Sequence, residues 1–485
     1  MSSISILLII IIYFAGLLLI SYIAGRKHAN NDAFFRGSRK SPWWAVAIAM
    51  VGASVSGVSF VSVPGWVGAT QFTYMQTVFG FFFGYLIIAQ VLLPLYYRLN
   101  LTSIYTYLGD RFGRHSYKTG ASFFLLSKII GAAARLYIVA LILQTLVFNE
   151  LNIPFYLTVS ILLFTIWAYT FRSGIKTIVW TDSLQAIIML IALVVMIVEL
   201  SQSMGLNLKT LTQEVVNSDL TRIFVFDDWV SKQHFFKQFF SGVFIAIVMT
   251  GLDQDMMQKN LSCKNLPEAQ KNMYWYAGAF IPVNFLFLIL GFMILLFASN
   301  NGITLPSKGD EILTFMAMNH FAKAGLLMFT LGIIAAAFSS ADSALTALTT
   351  SFSVDILEID TEKETPKNKK IRMGVHIGIT LLFLIVILIF NQLNNSSIID
   401  AIYVIVSYTY GPLLGMYSFG LFTKIKPTEK AVPYIAVLSP IICFTLDYLT
   451  TNYLGYKFGY ELLLMNGGLT FIGLYISSKY GNKNS

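Results

Sequence analysis

The stretch Ala335-Ala336-Ala337-Phe338-Ser339-Ser340-Ala341-Asp342-Ser343 places three hydroxyl groups and a carboxylate inside an apolar segment long enough to cross a bilayer. Polar groups at such positions are expensive and usually line the path of an ion or a solute. In a helix, Ser339 and Ser343 are four residues apart and Ala336 lies three residues before Ser339, so they share about one face. Hard, mostly uncharged oxygens are what a dehydrated monovalent cation requires. The stretch therefore predicts a cation site.

The chain as a whole has the composition of a membrane protein. Of its 485 residues, 56% are hydrophobic and 12% are charged, and the mean hydropathy is +0.69. A soluble chain carries about 25% charged residues, so roughly half of the usual water-facing charge is missing. Thirteen apolar segments reach spanning length, at about 3–24, 43–69, 72–97, 119–148, 154–171, 180–201, 237–257, 273–298, 323–351, 373–391, 397–420, 431–451 and 459–478. The sequence predicts an all-α integral membrane protein with about 13 transmembrane helices.

The charged residues predict the orientation of the chain. The formal net charge is +9, and Lys and Arg concentrate in alternate loops between the apolar segments. Cytoplasmic loops carry such an excess, so we expect the N-terminus outside, the C-terminus in the cytoplasm, and no nucleic acid as a partner. The first apolar stretch is followed directly by Arg26-Lys27 rather than by a small-residue cleavage site, so we expect it to remain as a helix.

The sequence carries no motif of an enzyme or of an ATP-driven pump. Cys263 and Cys443 lie on different segments without the spacing of a metal site or a disulfide. A phosphate-binding glycine loop, an HExxH motif and a nucleophile elbow are absent from the sequence. We therefore expect a carrier that is not an enzyme and needs no organic cofactor.

The second apolar segment contains Gly52-Ala53-Ser54-Val55-Ser56-Gly57-Val58-Ser59-Phe60, in which small and hydroxylated residues crowd the middle of the span. A helix interrupted at this point would release backbone carbonyls into a cavity. The alternative is that the small residues allow neighbouring helices to pack closely. The sequence leaves both interpretations open.

Four further motifs accompany these two segments. They are Asp32-Ala33-Phe34-Phe35-Arg36-Gly37, Val179-Trp180-Thr181-Asp182-Ser183-Leu184-Gln185, Asp253-Gln254-Asp255-Met256-Met257-Gln258-Lys259, and the glycine-rich stretch at 411–424. In this order, from about residue 32 to residue 424, the motifs resemble the sodium:solute symporter family.

The resemblance implies the leucine-transporter fold in a single multi-pass transport domain, 1–485. Two inverted repeats of five helices would occupy 42–206 and 237–424. An extra N-terminal helix with its cytoplasmic loop would occupy 1–41, an extracellular loop 207–236, and two additional helices 425–485.

The resemblance also implies a sodium site shared by the second and ninth spans. Its ligands would be the carbonyls of Gly52, Val55 and Ala336 and the hydroxyls of Ser339 and Ser340. Neutral oxygens can replace the hydration shell of sodium without the charge density that favours divalent ions. The alternative for the two serines is a hydrogen bond to the preceding turn of their own helix.

A second sodium would bind near Asp182, Asp342 and Ser343, beside Ser339. The alternatives are that Asp182 caps the sixth helix behind Thr181, and that Asp342 pairs with a lysine or takes a proton.

The solute would lie at the midplane, beside the broken second and seventh spans. The candidate contacts are Ser54, Ser56 and Ser59 on span two, Tyr74 and Gln76 on span three, Thr250 and Asp253 on span seven, and Arg135 on span four. Arg135 could bind a carboxylate bidentately, or it could snorkel or pair with an acid. The serine spacing resembles the sialic acid branch of the family, but that branch's arginine aligns with Gly131 and its span-three glutamine aligns with Val78. The aromatic gate of the galactose branch is replaced by Met249 and Thr250.

The resemblance therefore implies sodium-coupled symport of a sugar, or of an acidic sugar such as sialic acid, by alternating access. Sodium would be the coupling ion, and the protein would work as a monomer in a bacterial inner membrane. Two alternatives remain open. One is a proton-coupled carrier that titrates Asp182 or Asp342, and the other is sodium symport of an amino acid or another carboxylate.

Overall fold

The structure is a computed structural model, and it describes residues 3–25, 31–171, 174–360, 365–393, 398–456 and 458–481. Within these ranges the secondary structure is helical, apart from one isolated bridge between Ser41 and Cys263. The long helices are α1 (Ser3–Gly25), α2 in two halves (Trp43–Ser54 and Gly57–Thr70), α3 (Tyr74–Arg98), α4 (Arg114–Phe148), α5 (Phe155–Thr170), α6 (Ile175–Ser203), α7 in two halves (Phe235–Gly251 and Gln254–Leu261), α8 (Leu266–Asn300), α9 (Lys323–Ile356), α10 (Pro366–Leu393), α11 (Ile398–Phe422), α12 (Glu429–Leu454) and α13 (Glu461–Gly481). Short helices lie at Asn31–Arg36, Thr106–Arg111, Leu208–Asn217 and Gly309–Asn319.

Each predicted apolar segment overlaps one of these thirteen elements. Among the described residues, eight helices are long and apolar enough to cross a membrane, and the broken pairs α2 and α7 bring this number to 10. The helix α5 is apolar but has only 16 residues. The all-helical membrane architecture is therefore confirmed, whereas the total of thirteen spans and the repeat boundaries stay predictions. The pair Arg26-Lys27 lies outside the described residues.

The helix α9 forms the centre of the bundle. Its residues 332–351 are all buried, although the stretch carries many hydroxyl groups and a carboxylate. The outer helices show the opposite pattern, because large apolar side chains such as Ile12 on α1 and Phe164 on α5 are 70% and 64% exposed. Apolar residues exposed in this way are suited to a lipid environment. The polar groups of α9 thus lie inside the protein.

The helix α2 is broken between its two halves, which are bent by 63°. At the break Val55 has φ −85° and ψ 90°, and Ser56 has φ −72° and ψ 162°, so both residues leave the helical region. The Ser56 hydroxyl then accepts a hydrogen bond from the backbone N–H of Ser59, at 3.3 Å, and caps the second half. The interrupted-helix interpretation of this segment is confirmed.

The helix α7 is broken in the same way, with a bend of 65°. The Asp253 carboxylate begins the second half by accepting the backbone N–H of Asp255, at 2.9 Å. A carboxylate in this position also favours the positive end of the helix dipole. The two breaks place free backbone groups from two helices in the interior of the bundle.

Glycines allow the broken helix α7 to approach α3 closely. A Cβ atom on Gly80 would lie 2.1 Å from the carbonyl oxygen of Phe239, and one on Gly242 would lie 2.2 Å from that of Thr77. The two helices therefore pack backbone against backbone, as small residues permit inside a membrane. This contact fixes the position of α7 beside the cavity described below.

Candidate functional site

A hydrogen bond from Ser340 on α9 reaches the end of the first half of α2, next to the break. The Ser340 hydroxyl lies 3.1 Å from the carbonyl oxygen of Ala336 and 3.4 Å from that of Ala53. Ala53 belongs to the last turn of the first half of α2, where carbonyls have no helical partner. One side chain thus connects the broken helix to α9 while it also bonds to its own preceding turn.

The Ser339 hydroxyl, by contrast, is fully buried and has no hydrogen-bond partner among the described residues. A buried hydroxyl without a partner carries a free-energy cost, which a bound cation would offset. A hydrogen bond to the preceding turn of the helix, the alternative role for the two serines, is therefore not observed for Ser339. It is observed for Ser340, whose hydroxyl bonds to the Ala336 carbonyl. Gly52 is packed tightly, because a Cβ atom would lie 2.9 Å from the Ala186 Cβ atom. The set Gly52, Val55, Ala336, Ser339 and Ser340 stays the predicted sodium site.

The second group of predicted residues surrounds a buried lysine. The Asp182 Oδ2 atom lies 3.0 Å from the Lys259 ammonium and accepts a hydrogen bond from the Ser343 hydroxyl at 2.9 Å. Asp342 Oδ2 accepts a hydrogen bond from the Tyr169 hydroxyl at 2.8 Å. The other carboxylate oxygens, Oδ1 of Asp182 and Oδ1 of Asp342, are buried without a partner among the described residues.

Lys259 belongs to this cluster, although the sequence analysis did not predict it as a site residue. The sequence places it where the seventh span gives way to a basic cytoplasmic loop, but its side chain is 0% exposed. The available signal was its spacing from Asp255, since the pair are four residues apart and face each other on a helix. The alternative in which Asp342 pairs with a lysine is not observed in the described residues, because Lys259 pairs with Asp182 and Asp255.

Alternating charges connect this cluster to a cavity. The Lys128 ammonium on α4 lies 3.0 Å from Asp253 Oδ2 and 2.8 Å from Asp255 Oδ2. Asp255 Oδ1 in turn lies 3.5 Å from Lys259, and Lys259 contacts Asp182. Buried charges require such pairing, because an unpaired ion in the interior is very costly. The series runs from α4 through α7 to α6.

The cavity lies between the two helix breaks and has a volume of about 170 Å³. It is bounded by residues of α2, α3, α4, α7, α8, α9, α11 and α13. Seven of the eight predicted solute contacts line it, namely Ser54, Ser56, Ser59, Tyr74, Arg135, Thr250 and Asp253. Ser340 also lines it, so the cavity adjoins the predicted sodium site.

Gln76 is the exception, because it does not line the cavity. Its side chain is fully buried, and its amide is occupied by the backbone of the loop before α7. The Nε2 group donates to the carbonyl of Gln233 at 2.9 Å, and Oε1 accepts from the N–H of Val225 at 3.1 Å. The residue therefore fastens this loop to α3.

Two of these seven residues, Ser54 and Asp253, are bound to protein groups outside the set. The Ser54 hydroxyl lies 2.6 Å from the hydroxyl of Tyr276. The Asp253 carboxylate is held by Lys128 and accepts a hydrogen bond from the Tyr410 hydroxyl at 2.5 Å. Asp253 thus enters the cavity as part of an ion pair rather than as a free anion.

Arg135 is different, because its guanidinium makes no hydrogen bond or ion pair with a described residue. It lies on α4, two turns after Lys128, and its side chain is half-buried at the cavity wall. A guanidinium offers five N–H donors in a planar fork that matches a carboxylate. The cavity therefore combines hydroxyl groups from α2 with one cation that is available to a ligand.

Comparison with known proteins identifies the fold and the family of this chain. The chain is 23% identical to the sodium/sialic acid symporter NanT of Aliivibrio fischeri, over 87% of this chain and 83% of the relative. It is also 23% identical to the sodium/sialic acid symporter SiaT of Proteus mirabilis, over 88% of this chain and 86% of the relative. A solved structure of a sodium-coupled sialic acid symporter in a substrate-bound, outward-open state has a TM-score of 0.82, with 19% identity, 99% of this chain covered and 98% of that chain covered. The fold is thus that of a leucine-transporter-like carrier. A model of the sodium:solute symporter family matches residues 34–431, and the chain therefore belongs to that family.

Proposed function

We propose that this chain carries a small acidic sugar, of the sialic acid type, into a bacterial cell together with sodium. The observation that supports this proposal best is the unpaired guanidinium of Arg135 in a cavity lined by the hydroxyls of Ser54, Ser56 and Ser59. A carboxylate satisfies the guanidinium, and sugar hydroxyls can exchange hydrogen bonds with serines. The sialic acid symporters among its relatives act on a solute of this chemistry.

Sodium and solute would act on the same pair of helices. Sodium bound by Ser339 and Ser340 would hold α9 against the broken α2 and favour the state that is open to the outside. The solute would then fill the cavity beside Ser340, the outer side would close, and the bundle would rock inward. Coupling requires that the two ligands together favour one conformation more than either does alone, because tight binding by itself shifts no equilibrium.

The energy source is the sodium gradient together with the membrane potential. Moving one positive charge through a potential of 100 mV contributes about 2.3 kcal/mol, which can concentrate a solute about fifty-fold. This contribution is large enough for one sodium ion to drive accumulation of the solute.

The proposed membrane is the bacterial inner membrane, with the N-terminus outside, the C-terminus in the cytoplasm and one chain as the working unit. The cavity wall includes Trp66, Tyr74 and Tyr460. These residues lie near the loops at 71–73 and 455–460, which the charge pattern predicts to be extracellular. This supports a cavity that is reached from outside.

The test is uptake of labelled N-acetylneuraminate by the purified chain in liposomes. We expect accumulation when an inward gradient of sodium chloride is imposed, and none when choline chloride replaces it. Unlabelled sugars, monocarboxylates and amino acids should be added as competitors to rank the solutes. If no acidic sugar enters or competes in the presence of sodium, the solute class is wrong.

A proton-coupled carrier is the second candidate, and the buried Asp342 carboxyl favours it. This group has one hydrogen bond from Tyr169 and no ion pair with a described residue, so it could take a proton. Counterflow of the solute at fixed pH, with all sodium removed, separates the two candidates. Full counterflow without sodium would support proton coupling.

A further inference from the structure

We propose that Lys259 provides a built-in cation at the position where a second sodium would otherwise bind, so that this chain binds a single sodium ion. The inference rests on the proposed sodium coupling and deepens it, because it fixes the number of ions. The evidence is the set of contacts of the Lys259 ammonium, its complete burial, and the ion pair and hydrogen bond that Asp182 already makes.

The Lys259 ammonium has the ligands of a monovalent cation. Its Nζ atom lies 3.0 Å from Asp182 Oδ2 and 3.5 Å from Asp255 Oδ1, so two carboxylates from α6 and α7 share it. Ser343 on α9 donates to the same oxygen of Asp182, at 2.9 Å. Carboxylate oxygens from two helices therefore contact a positive charge that belongs to the protein itself, and a hydroxyl of a third helix bonds to one of them.

A sodium ion at this position would have to lie beside that charge. Both the lysine and the aspartate side chains are 0% exposed, and in a dry interior two neighbouring cations repel each other strongly. The Asp182 carboxylate is also neutralised by Lys259 already, so its free Oδ1 attracts a further cation weakly. The hydroxyl of Ser343 is directed to Asp182 as a donor. A lysine is covalently attached and cannot cross the membrane, so it contributes no energy from the sodium gradient.

The predicted sodium site on α2 and α9 does not have this feature. Ser339 is buried and free of hydrogen bonds, and Ser340 contacts two backbone carbonyls. No ammonium or guanidinium group forms an ion pair there among the described residues. The two positions therefore differ in charge, and only the site on α2 and α9 is available for an external ion.

The experiment counts bound sodium with ²²Na⁺ on the purified full-length chain in detergent, with choline chloride to hold ionic strength constant. We expect saturation at one sodium ion per protein for the wild type and loss of this ion in Ser339→Ala. Asp182→Asn should still bind one ion. Lys259→Ala should show a twofold rise to two ions, because Asp182 and Asp255 then lose the cation that they share. Lys259→Arg, which keeps the charge, should still bind one.

Each outcome decides the proposal. Saturation of the wild type at two ions would overturn it while leaving sodium coupling intact, and so would a folded Lys259→Ala protein that binds one ion. A single wild-type ion that is lost in Asp182→Asn but kept in Ser339→Ala would overturn it as well. If the wild type binds no sodium, the proposed function itself fails. If Lys259→Ala does not fold, the counts for the wild type, Ser339→Ala and Asp182→Asn remain decisive.

Discussion

The ammonium of Lys259 lies 3.0 Å from the Oδ2 atom of Asp182, and this buried contact joins the second half of α7 to α6. The helix α7 lines the solute cavity, and the Ser343 hydroxyl of α9 donates a hydrogen bond to the same oxygen of Asp182. The same lysine contacts Asp255, which is bound to Lys128 at the cavity wall. A series of charged groups thus runs from the cavity wall to α6, and removing one of them leaves its partner with too few counter-charges.

Removing one partner of the Lys259–Asp182 pair should destabilise the protein strongly. We expect Asp182→Asn or Lys259→Met to lower the free energy of unfolding by about 3–5 kcal/mol each, because each leaves a buried charge with too few partners. The double variant should lose less than the sum of the two single losses. Thermal unfolding of the three variants in detergent measures this. Additive losses would show that the two residues do not depend on each other.

Ser339→Ala should weaken sodium binding by about 100-fold, because an oxygen ligand of a charged ion is lost from a buried site. The ion is then no longer bound at the concentrations that saturate the wild type. Ser353→Ala is the matched control. Ser353 lies on α9, and its hydroxyl is also buried without a partner among the described residues, but it is about 20 Å along the helix from Ser339. Sodium titrations followed by tryptophan fluorescence would give both affinities. Equal effects of the two changes would show that Ser339 has only a structural role.

Arg135→Ala should reduce the affinity for an acidic sugar by about 10- to 100-fold, because a charge-assisted pair of hydrogen bonds is lost. The affinity of Arg135→Lys for the acidic sugar should lie between those of Arg135→Ala and the wild type, since an ammonium keeps the charge but not the paired N–H donors of a guanidinium. Arg114→Ala serves as a control, because that guanidinium pairs with Glu358 at the surface. Sodium binding should not change in any of them. Solute affinity that is unaltered in Arg135→Ala would exclude a contact with the solute.

Gly80→Ala should disturb the packing of α3 on α7. The new Cβ atom would lie 2.1 Å from the carbonyl oxygen of Phe239, so the two backbones must separate, at a cost of about 1–3 kcal/mol or more. Gly278→Ala is the control, because a Cβ atom there meets nothing within 4 Å. We expect a lower unfolding temperature and weaker solute uptake for Gly80→Ala only. Similar stabilities of the two variants would contradict the close approach.

The membrane fold could be predicted because its signals are local. Each apolar segment is long enough to be recognised on its own, and the break in α2 coincides with the small and hydroxylated residues around Val55 and Ser56. The burial of polar residues on α9 could be predicted for the same reason, since hydroxyl groups and a carboxylate stand inside an apolar segment. The role of its serines as sodium ligands stays a prediction.

Long-range partners could not be predicted. Gln76 looks like a pore-lining amide, but its partners Val225 and Gln233 lie in a loop that is distant in sequence. Lys259 looks like a loop cation, because its neighbours in sequence are polar and its partner Asp182 belongs to another helix. A hydropathy profile contains no information on the contacts of Gln76 or Lys259. The solute preference of the cavity is equally a property of residues from several helices.

The central claim is that sodium binds between α2 and α9 through Ser339 and Ser340. The most direct measurement is the thermal unfolding of the purified chain in sodium chloride and in choline chloride at equal ionic strength. A ligand that binds only the folded state raises the unfolding temperature as its concentration rises. We predict a sodium-dependent increase for the wild type that disappears in Ser339→Ala. An equal increase in both proteins, or none in the wild type, would contradict the account.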